Sequence, residues 1–346
     1  WRTIQKVTKS PSFWKTDWMF PLWPLFKLVI NVGIIGYRNH AQRLISLVET
    51  SPECKLKHIF HPDKKIDDFR GTNNFSDLLE CDIIIIASPN STHYEYLKKL
   101  KSFTGYVLCE KPPVVNLEEL NELKKIEDSK KRKTFFNFNY RFSKLNELLM
   151  KYLNSEEIGK IVYIEIIASQ GLAFKEEYVD SWRADGTNNR FNLLDTVTIH
   201  YLDLINQHFG NSKNQFYFPK LISNNGTSYD TGHLILEYDG FNVSIINSYA
   251  TPFIGELSII GTNGYISIKN NILEIRTPRN TFDENNFFIS PPILLSKKFN
   301  MQDDYSLSLK NSFDFFISHV LDKKELDMLL YETSMKTTQL ILELKK

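Results

Sequence analysis

The chain is short of the residues that build metal centres and disulfide frameworks. Its three cysteines, Cys54, Cys81 and Cys109, are odd in number and unclustered. That pattern speaks against a zinc site or a paired framework and suits a reducing, cytoplasmic compartment. No metal is expected. An excess of charge of one sign is also missing: 42 Lys and Arg stand against 41 Asp and Glu, for a net charge of +1. No global field therefore calls for nucleic acid or a membrane surface. Long apolar runs are lacking too. The apolar stretch over 18–26 is shorter than the roughly 20 residues that span a bilayer. Pro21 and Pro24 interrupt it, and no small-residue cleavage site accompanies it. Neither a spanning helix nor a signal peptide is expected there. Residues 1–27 read instead as an extension that packs on the body or on a partner chain. Internal repeats and low-complexity runs are absent.

What is plentiful is aromatic: 25 Phe and 16 Tyr in 346 residues, whose ordinary use is core and interface packing. The length predicts two domains. Residues 28–35 form an apolar run of buried-strand length, followed by Gly36-Tyr-Arg-Asn-His-Ala41 and a stretch of helical spacing. Strand, glycine turn and helix are the setting of a dinucleotide fingerprint. Gly36 takes the first glycine place. Arg38 takes the second, where a bare backbone normally meets pyrophosphate, and Ala41 takes the third. Arg38 either blocks the pyrophosphate or swings outward to bind it at the helix N-terminus, with Asn39 and His40 beside it. A second strand, 55–60, ends at His61 where an acid would serve an NAD ribose. The absence of that acid, with Lys64 and Lys65 nearby, leans slightly to NADP over NAD.

Ile83-Ile84-Ile85-Ile86 has no polar alternation, as a central parallel strand requires. Its tip is Ser88-Pro-Asn-Ser-Thr-His93. The next strand, 106–109, stops at Glu110-Lys111-Pro112, because Pro112 removes a donor and constrains Lys111. An ion pair at a strand's carboxyl tip faces the crevice of an open α/β sheet. Residues 134–141 read as the last strand of this domain, which places the first domain at 28–142. The second domain, 143–346, opens with a helix and a long strand, 159–169. Strands at 231–238, 242–250, 255–260, 265–269 and 272–276 follow, with Asp239-Gly240 and Asn263-Gly264 turns between them. Such spacing predicts antiparallel hairpins. Two amphipathic helices at 307–320 and 324–345 are positioned to pack back on the first domain. The expected fold class is α/β: a Rossmann doubly wound parallel sheet, then an α+β domain with an open, largely antiparallel sheet.

The order of buried strand, Ser-Pro-Asn-x-x-His, Glu-Lys-Pro and Asn137-Phe-Asn-Tyr-Arg-Phe142 resembles the glucose–fructose oxidoreductase / inositol dehydrogenase (Gfo/Idh/MocA) family. The likeness runs from about residue 28 to the C-terminus and is strongest to about residue 210. It implies a nicotinamide cofactor in the crevice, touched by Ser88, Pro89, Asn90, His93, Glu110 and Lys111. It also implies hydride exchange between nicotinamide and a carbinol or keto carbon of a sugar, cyclitol or nucleotide-linked sugar. Lys111 would polarise the reacting oxygen, His200 would act as acid/base partner, and Tyr140, Arg141, Trp182 and Arg183 would shape the substrate pocket. The family helix carries Asp-x-x-x-His; aligned on His200, the acid's place holds Thr196, and the nearby acid is Asp195. In a regular helix Thr196, His200 and Asp203 share one face, with Asp195 turned about 140° from His200. Regular geometry is the expectation, which leaves Asp195 without a catalytic part and Thr196 as a hydroxyl neighbour of the substrate; a π-bulge in the first turn would instead bring Asp195 back beside His200. The alternative for His200 is a structural imidazole bonded to Asp203. The resemblance further implies a homo-oligomer, dimer or tetramer, built through the second sheet. The departures at Arg38, Asn188-Asn-Arg-Phe-Asn192 and Thr196 support a competing class: a member that kept the fold, lost the chemistry and serves as a binding or assembly subunit.

Overall fold

The computed structural model describes residues 29–346, so the extension expected over 1–27 lies outside the described residues. The first part of the chain lays down β1 (Ile30–Ile35), β2 (Cys54–Phe60), β3 (Gly71–Thr72), β4 (Ile83–Ile86), β5 (Tyr106–Cys109) and β6 (Thr134–Phe136). They form one sheet in the order β3-β2-β1-β4-β5-β6. Every pairing in it is parallel. All four isoleucines of β4 are fully buried, because parallel strands are covered on both faces. Strand order reverses between β1 and β4, which opens a crevice at their carboxyl ends. The connecting helices are α1 (Asn39–Thr50), α2 (His93–Lys99), α3 (Leu117–Lys124) and α4 (Asp128–Lys131). In α1 the buried residues Ala41, Leu44, Ile45 and Val48 fall at helical spacing, which gives the stripe that seats it on the sheet.

Residue 137 onward departs from the expected strand. β6 ends at Phe136, and the chain passes through a 3-10 turn, Asn139–Phe142, into α5 (Lys144–Tyr152). The Ser143 side chain caps α5 by accepting from the backbone N–H of Asn146. Next come β7 (Ile161–Ser169), α6 (Gly186–Asn189), a π-helical turn (Leu194–Thr198) and α7 (Ile199–Phe209). Seven strands follow: β8 (Asn214–Lys220), β9 (Thr231–Tyr238), β10 (Phe241–Ser248), β11 (Ile254–Gly261), β12 (Tyr265–Lys269), β13 (Ile272–Arg276) and β14 (Ile293–Lys298). The chain closes with α8 (Met301–Leu321) and α9 (Met328–Glu343).

The second sheet runs β14-β13-β12-β11-β7-β10-β9-β8. Its pairings are antiparallel except for the parallel β7–β10 pair. One face is a continuous apolar layer in which Ile164, Ile166, Leu234, Val243, Ile245, Leu257, Ile259, Ile266 and Ile275 are buried. Leu202 and Ile205 of α7 join the same cluster. The tail helix α8 returns to the first sheet: Leu309, Phe313, Phe316 and Ile317 cluster with Val32, Ile34, Ile83 and Ile85. One face of the parallel sheet is thus covered by α1 together with a helix from the far end of the chain, and the other by α2 and α3. The sequence reading missed β8 and β14, the two edge strands. β8 carries Pro219 and exposes every second residue, and β14 is mostly exposed. Edges tolerate proline and need no buried stripe, so they leave little period-2 signal.

Candidate functional site

A cleft of about 500 Å³ opens between the carboxyl edge of the parallel sheet and the second sheet. Its first wall is the β1–α1 turn. Gly36 has φ +115°, and a Cβ there would come within 2.7 Å of the Ala87 carbonyl oxygen. Only glycine makes so close a crossing without strain. Arg38 is the N-cap of α1; it makes no side-chain cap, and the first turn holds no acid. The N–H groups of that turn are left without a side-chain acceptor, as an anion-binding helix end requires. The Arg38 side chain is exposed and is not part of the cleft wall, whereas Asn39 and His40 are.

At the tip of β4, His93 lines the cleft, and both its ring nitrogens face carbonyls: Nδ1 at 2.8 Å from Pro112 O and Nε2 at 2.9 Å from Ser88 O. Burial pushes its pKa down, against the pull of those two carbonyls. Its work is to brace the Ser88-Pro89-Asn90 loop, of which Ser88 and Asn90 line the cleft, against Glu110-Lys111-Pro112. His61 is likewise occupied: Nδ1 accepts from the backbone N–H groups of Asp63 and Lys64. It closes the turn after β2 and does not line the cleft.

Glu110 and Lys111 follow directly from the abrupt end of β5. Glu110 is buried, with Oε1 2.8 Å from His40 Nε2 and 2.7 Å from Asn137 Nδ2. Burial pushes its carboxyl up, but His40 and the Asn137 bond outweigh that and hold it at about 2. Asn137 is held in turn by the Ser312 hydroxyl of α8, which donates to its Oδ1 at 2.5 Å. Lys111 donates from Nζ to the Thr196 carbonyl at 2.8 Å. Burial lowers its pKa to about 8; Glu110 opposes that shift and Arg183 adds to it. A lysine so placed exchanges its proton near neutral pH.

The second wall carries the larger correction. Residues 194–198 are π-helical, and the Ile199 N–H reaches back to the Leu194 carbonyl. A π turn closes i to i+5 and inserts a residue. It swings Asp195 from the far side of a regular helix towards the face that carries His200. Asp195 lines the cleft. Its Oδ2 is taken by Lys345 Nζ at 2.7 Å and Asn189 Nδ2 at 2.5 Å. Its buried Oδ1 has no partner among the described residues. The Thr196 hydroxyl donates to Asn192 O and meets the Tyr249 hydroxyl at 2.6 Å. His200 stacks on Tyr140 with ring centroids 4.6 Å apart. Burial and then Lys111 drive its pKa well below the ordinary value, and its Nδ1 has no partner among the described residues. It is not bonded to Asp203.

Asp203 belongs to Arg141. The guanidinium forks onto it at 2.7 and 2.6 Å, and Thr337 donates to the same carboxylate. Arg141, expected in the substrate pocket, is thus a buried brace between the 3-10 turn and α7, outside the cleft wall. Trp182 and Arg183 do line the cleft, with the guanidinium 4.5 Å over the indole. Sequence reasoning missed Arg43, Gln170, Lys175, Tyr249 and Tyr305, which also line it. Lone residues on helices and in loops give no local signal. Among the described residues no cluster of three His, Cys, Asp or Glu could hold a metal.

A parallel sheet with a bare helix N-terminus at its crevice, covered by a mixed sheet across a cleft, defines a two-domain dinucleotide-binding α/β protein. Residues 30–138 match the family model described as "Oxidoreductase family, NAD-binding Rossmann fold". A relative, glucose-6-phosphate 3-dehydrogenase of Bacillus subtilis, is 25% identical over 184 residues, 51% of this chain and 52% of that protein. The aligned stretch thus spans about half the length of that relative. The fold matches an Agrobacterium radiobacter oxidoreductase solved with NAD+, L-tartaric acid and magnesium: TM-score 0.71, 17% identity, 90% of this chain and 94% of that one. It also matches a myo-inositol dehydrogenase of Corynebacterium glutamicum: TM-score 0.67, 18% identity, 92% and 96% covered.

Proposed function

We propose that the protein is an NAD(P)-dependent dehydrogenase or reductase acting on a polyhydroxylated ring: a sugar, cyclitol or nucleotide-linked sugar. One observation carries this reading. A lysine with its pKa lowered to about 8 stands at a strand tip in the cleft. Beside it are two buried atoms without partners among the described residues, His200 Nδ1 and Asp195 Oδ1.

Both atoms suit acceptance of hydrogen bonds from substrate hydroxyls, as a polyol requires. The Lys111 ammonium polarises the oxygen of the reacting carbon and holds or returns its proton. The Thr196 carbonyl fixes that ammonium in line. Glu110, locked between His40 and Asn137, keeps a negative charge behind it. A nicotinamide, when bound, supplies or accepts the hydride. The residues present fit a dinucleotide: the tight Gly36 turn and the uncapped α1 N-terminus suit its pyrophosphate, and Ser88 and Asn90 flank the crevice. NAD and NADP both remain compatible with this arrangement.

A second reading has one observation in its favour. Lys111 already spends a hydrogen bond on Thr196, which suits a binding subunit without turnover. Titrating NADH and NADPH against tryptophan fluorescence separates the two. Saturable binding of either, with hydride transfer to a sugar panel, is the expected result. No binding of either overturns the dehydrogenase.

A further inference from the structure

Four cations line the cleft, Arg43, Lys111, Lys175 and Arg183, against two carboxylates, Glu110 and Asp195. The whole chain is nearly neutral at +1, so this surplus is local. The Glu110 charge acts on Lys111 and that of Asp195 is taken by Lys345, which leaves Arg43, Lys175 and Arg183 as the surplus. Glu110 is engaged by His40 and Asn137, and Asp195 by Lys345 and Asn189. Among the described residues neither Lys175 nor Arg183 makes an ion pair with a carboxylate. A surplus of one sign in a low-dielectric cleft is favourable when a ligand brings the opposite charge.

The cations divide by wall. Arg43 belongs to α1 on the dinucleotide side, where it lies 5.8 Å from the Tyr305 ring centroid and donates to that hydroxyl at 3.4 Å. Lys175 and Arg183 come from the connection between β7 and the π turn, on the second domain's wall. Arg183 is pre-set for its task. Its guanidinium lies 4.5 Å over the Trp182 ring with the Tyr249 hydroxyl beside it. Packing on the ring steadies the guanidinium and leaves N–H groups for oxygen anions, which it meets two at a time. The Arg183 charge also presses on Lys111, helping to lower its pKa.

From this we infer that the substrate is a polyhydroxylated ring bearing an anionic group, phosphate or carboxylate, and that Arg183 with Lys175 grips that group. The inference deepens the dehydrogenase reading and rests on the same cleft being the substrate site. It gives Arg183 a purpose that a neutral sugar would not: the anion neutralises the surplus and fixes which ring carbon faces Lys111.

Binding tests it independently of turnover. The full chain is titrated with inorganic phosphate, glucose 6-phosphate, glucuronate and glucose, following tryptophan emission. Trp182 lies directly under Arg183, and a Trp182→Phe variant identifies its signal. The expected result is a saturable response to phosphate and to at least one charged sugar, weakened by salt, and none to glucose at the same concentration. Glucose 6-phosphate and glucuronate separate a phosphate from a carboxylate preference. Arg183→Gln should weaken anion binding roughly tenfold or more, as loss of a charge-assisted fork does, and Lys175→Gln less. Circular dichroism checks that both variants are folded. Equal responses to glucose and the charged sugars would overturn the proposal, as would phosphate binding unchanged by Arg183→Gln. An anion response without hydride transfer sinks the dehydrogenase reading and leaves this one standing; turnover of neutral sugars with no anion response does the reverse.

Discussion

Lys111 shows how position sets the chemistry of a residue. The ammonium is held by a backbone carbonyl, the Glu110 anion and the Arg183 guanidinium act on it with opposite sign, and burial brings its pKa from the ordinary 10.5 to about 8. The ammonium therefore dominates below that value and the amine above it. Reduction of a keto sugar, which needs the proton, should slow as pH rises through about 8; oxidation of the alcohol should quicken over the same range. Lys111→Met should leave cofactor affinity nearly unchanged and lower turnover roughly a hundredfold or more. Steady-state rates across pH in both directions check this, and a profile flat through that window removes Lys111 from the proton path. Arg141 makes the opposite case. It looks like a pocket residue in the sequence and is spent on Asp203. Arg141→Met should leave KM unchanged but cost about 3–5 kcal/mol of stability, because it strands a buried carboxylate. Urea unfolding measures the loss, and a raised KM at unchanged stability would return Arg141 to the substrate site.

At the scale of elements, the π turn between α6 and α7 joins the site to the far end of the chain. Thr196 and Thr198 place their hydroxyls on the Asn192 carbonyl and the Asn247 side chain, and side-chain hydroxyls that compete for backbone groups loosen a helix. The opened turn gives Asp195 to the cleft wall, and Lys345, just past α9, supplies its cation. Lys345→Met should cost about 3 kcal/mol, since it leaves a buried carboxylate unpaired. Asp195→Asn combined with Lys345→Met should recover much of that loss. A double-mutant cycle by urea unfolding tests the pair, and additive losses would deny the coupling. These contacts mark the limit of what the sequence made legible. The Gly36 turn, the β4 core strand and the tip at Glu110-Lys111-Pro112 were readable, because each is a contiguous pattern of period and breakers. His40 beside Glu110, Arg141 on Asp203 and Lys345 on Asp195 were not. Their partners are brought together only by tertiary packing, the last two across 62 and 150 residues. The π turn could be named as an alternative but not chosen, since a regular helix and a bulged one share the same apolar spacing.

At the scale of the whole molecule, the second sheet has two unlike faces. The register pairs Phe216 with Ile235 and Phe218 with His233, then His233 with Ile246 and Ile246 with Ile167. Cross-strand partners point to the same side, so these residues form one band on the face opposite the buried layer. Phe216 and Phe218 are about half exposed, and Ile260 on β11 is 45% exposed. An apolar band across a broad sheet face is the kind of surface that a partner covers. A second copy is the economical partner, because a two-fold interface makes one band serve twice. The protein is therefore expected to run as a dimer or larger in light scattering against a chain mass of 40.5 kDa. Phe218→Glu with Ile260→Glu places a charge in each half of the band and should drive it to monomer. Neither Phe218 nor Ile260 lines the cleft, so cofactor titration of the same variant should change little. A wild-type protein that elutes as a monomer at micromolar concentration would deny the interface. A double variant that keeps the wild-type mass would move the interface elsewhere on the chain.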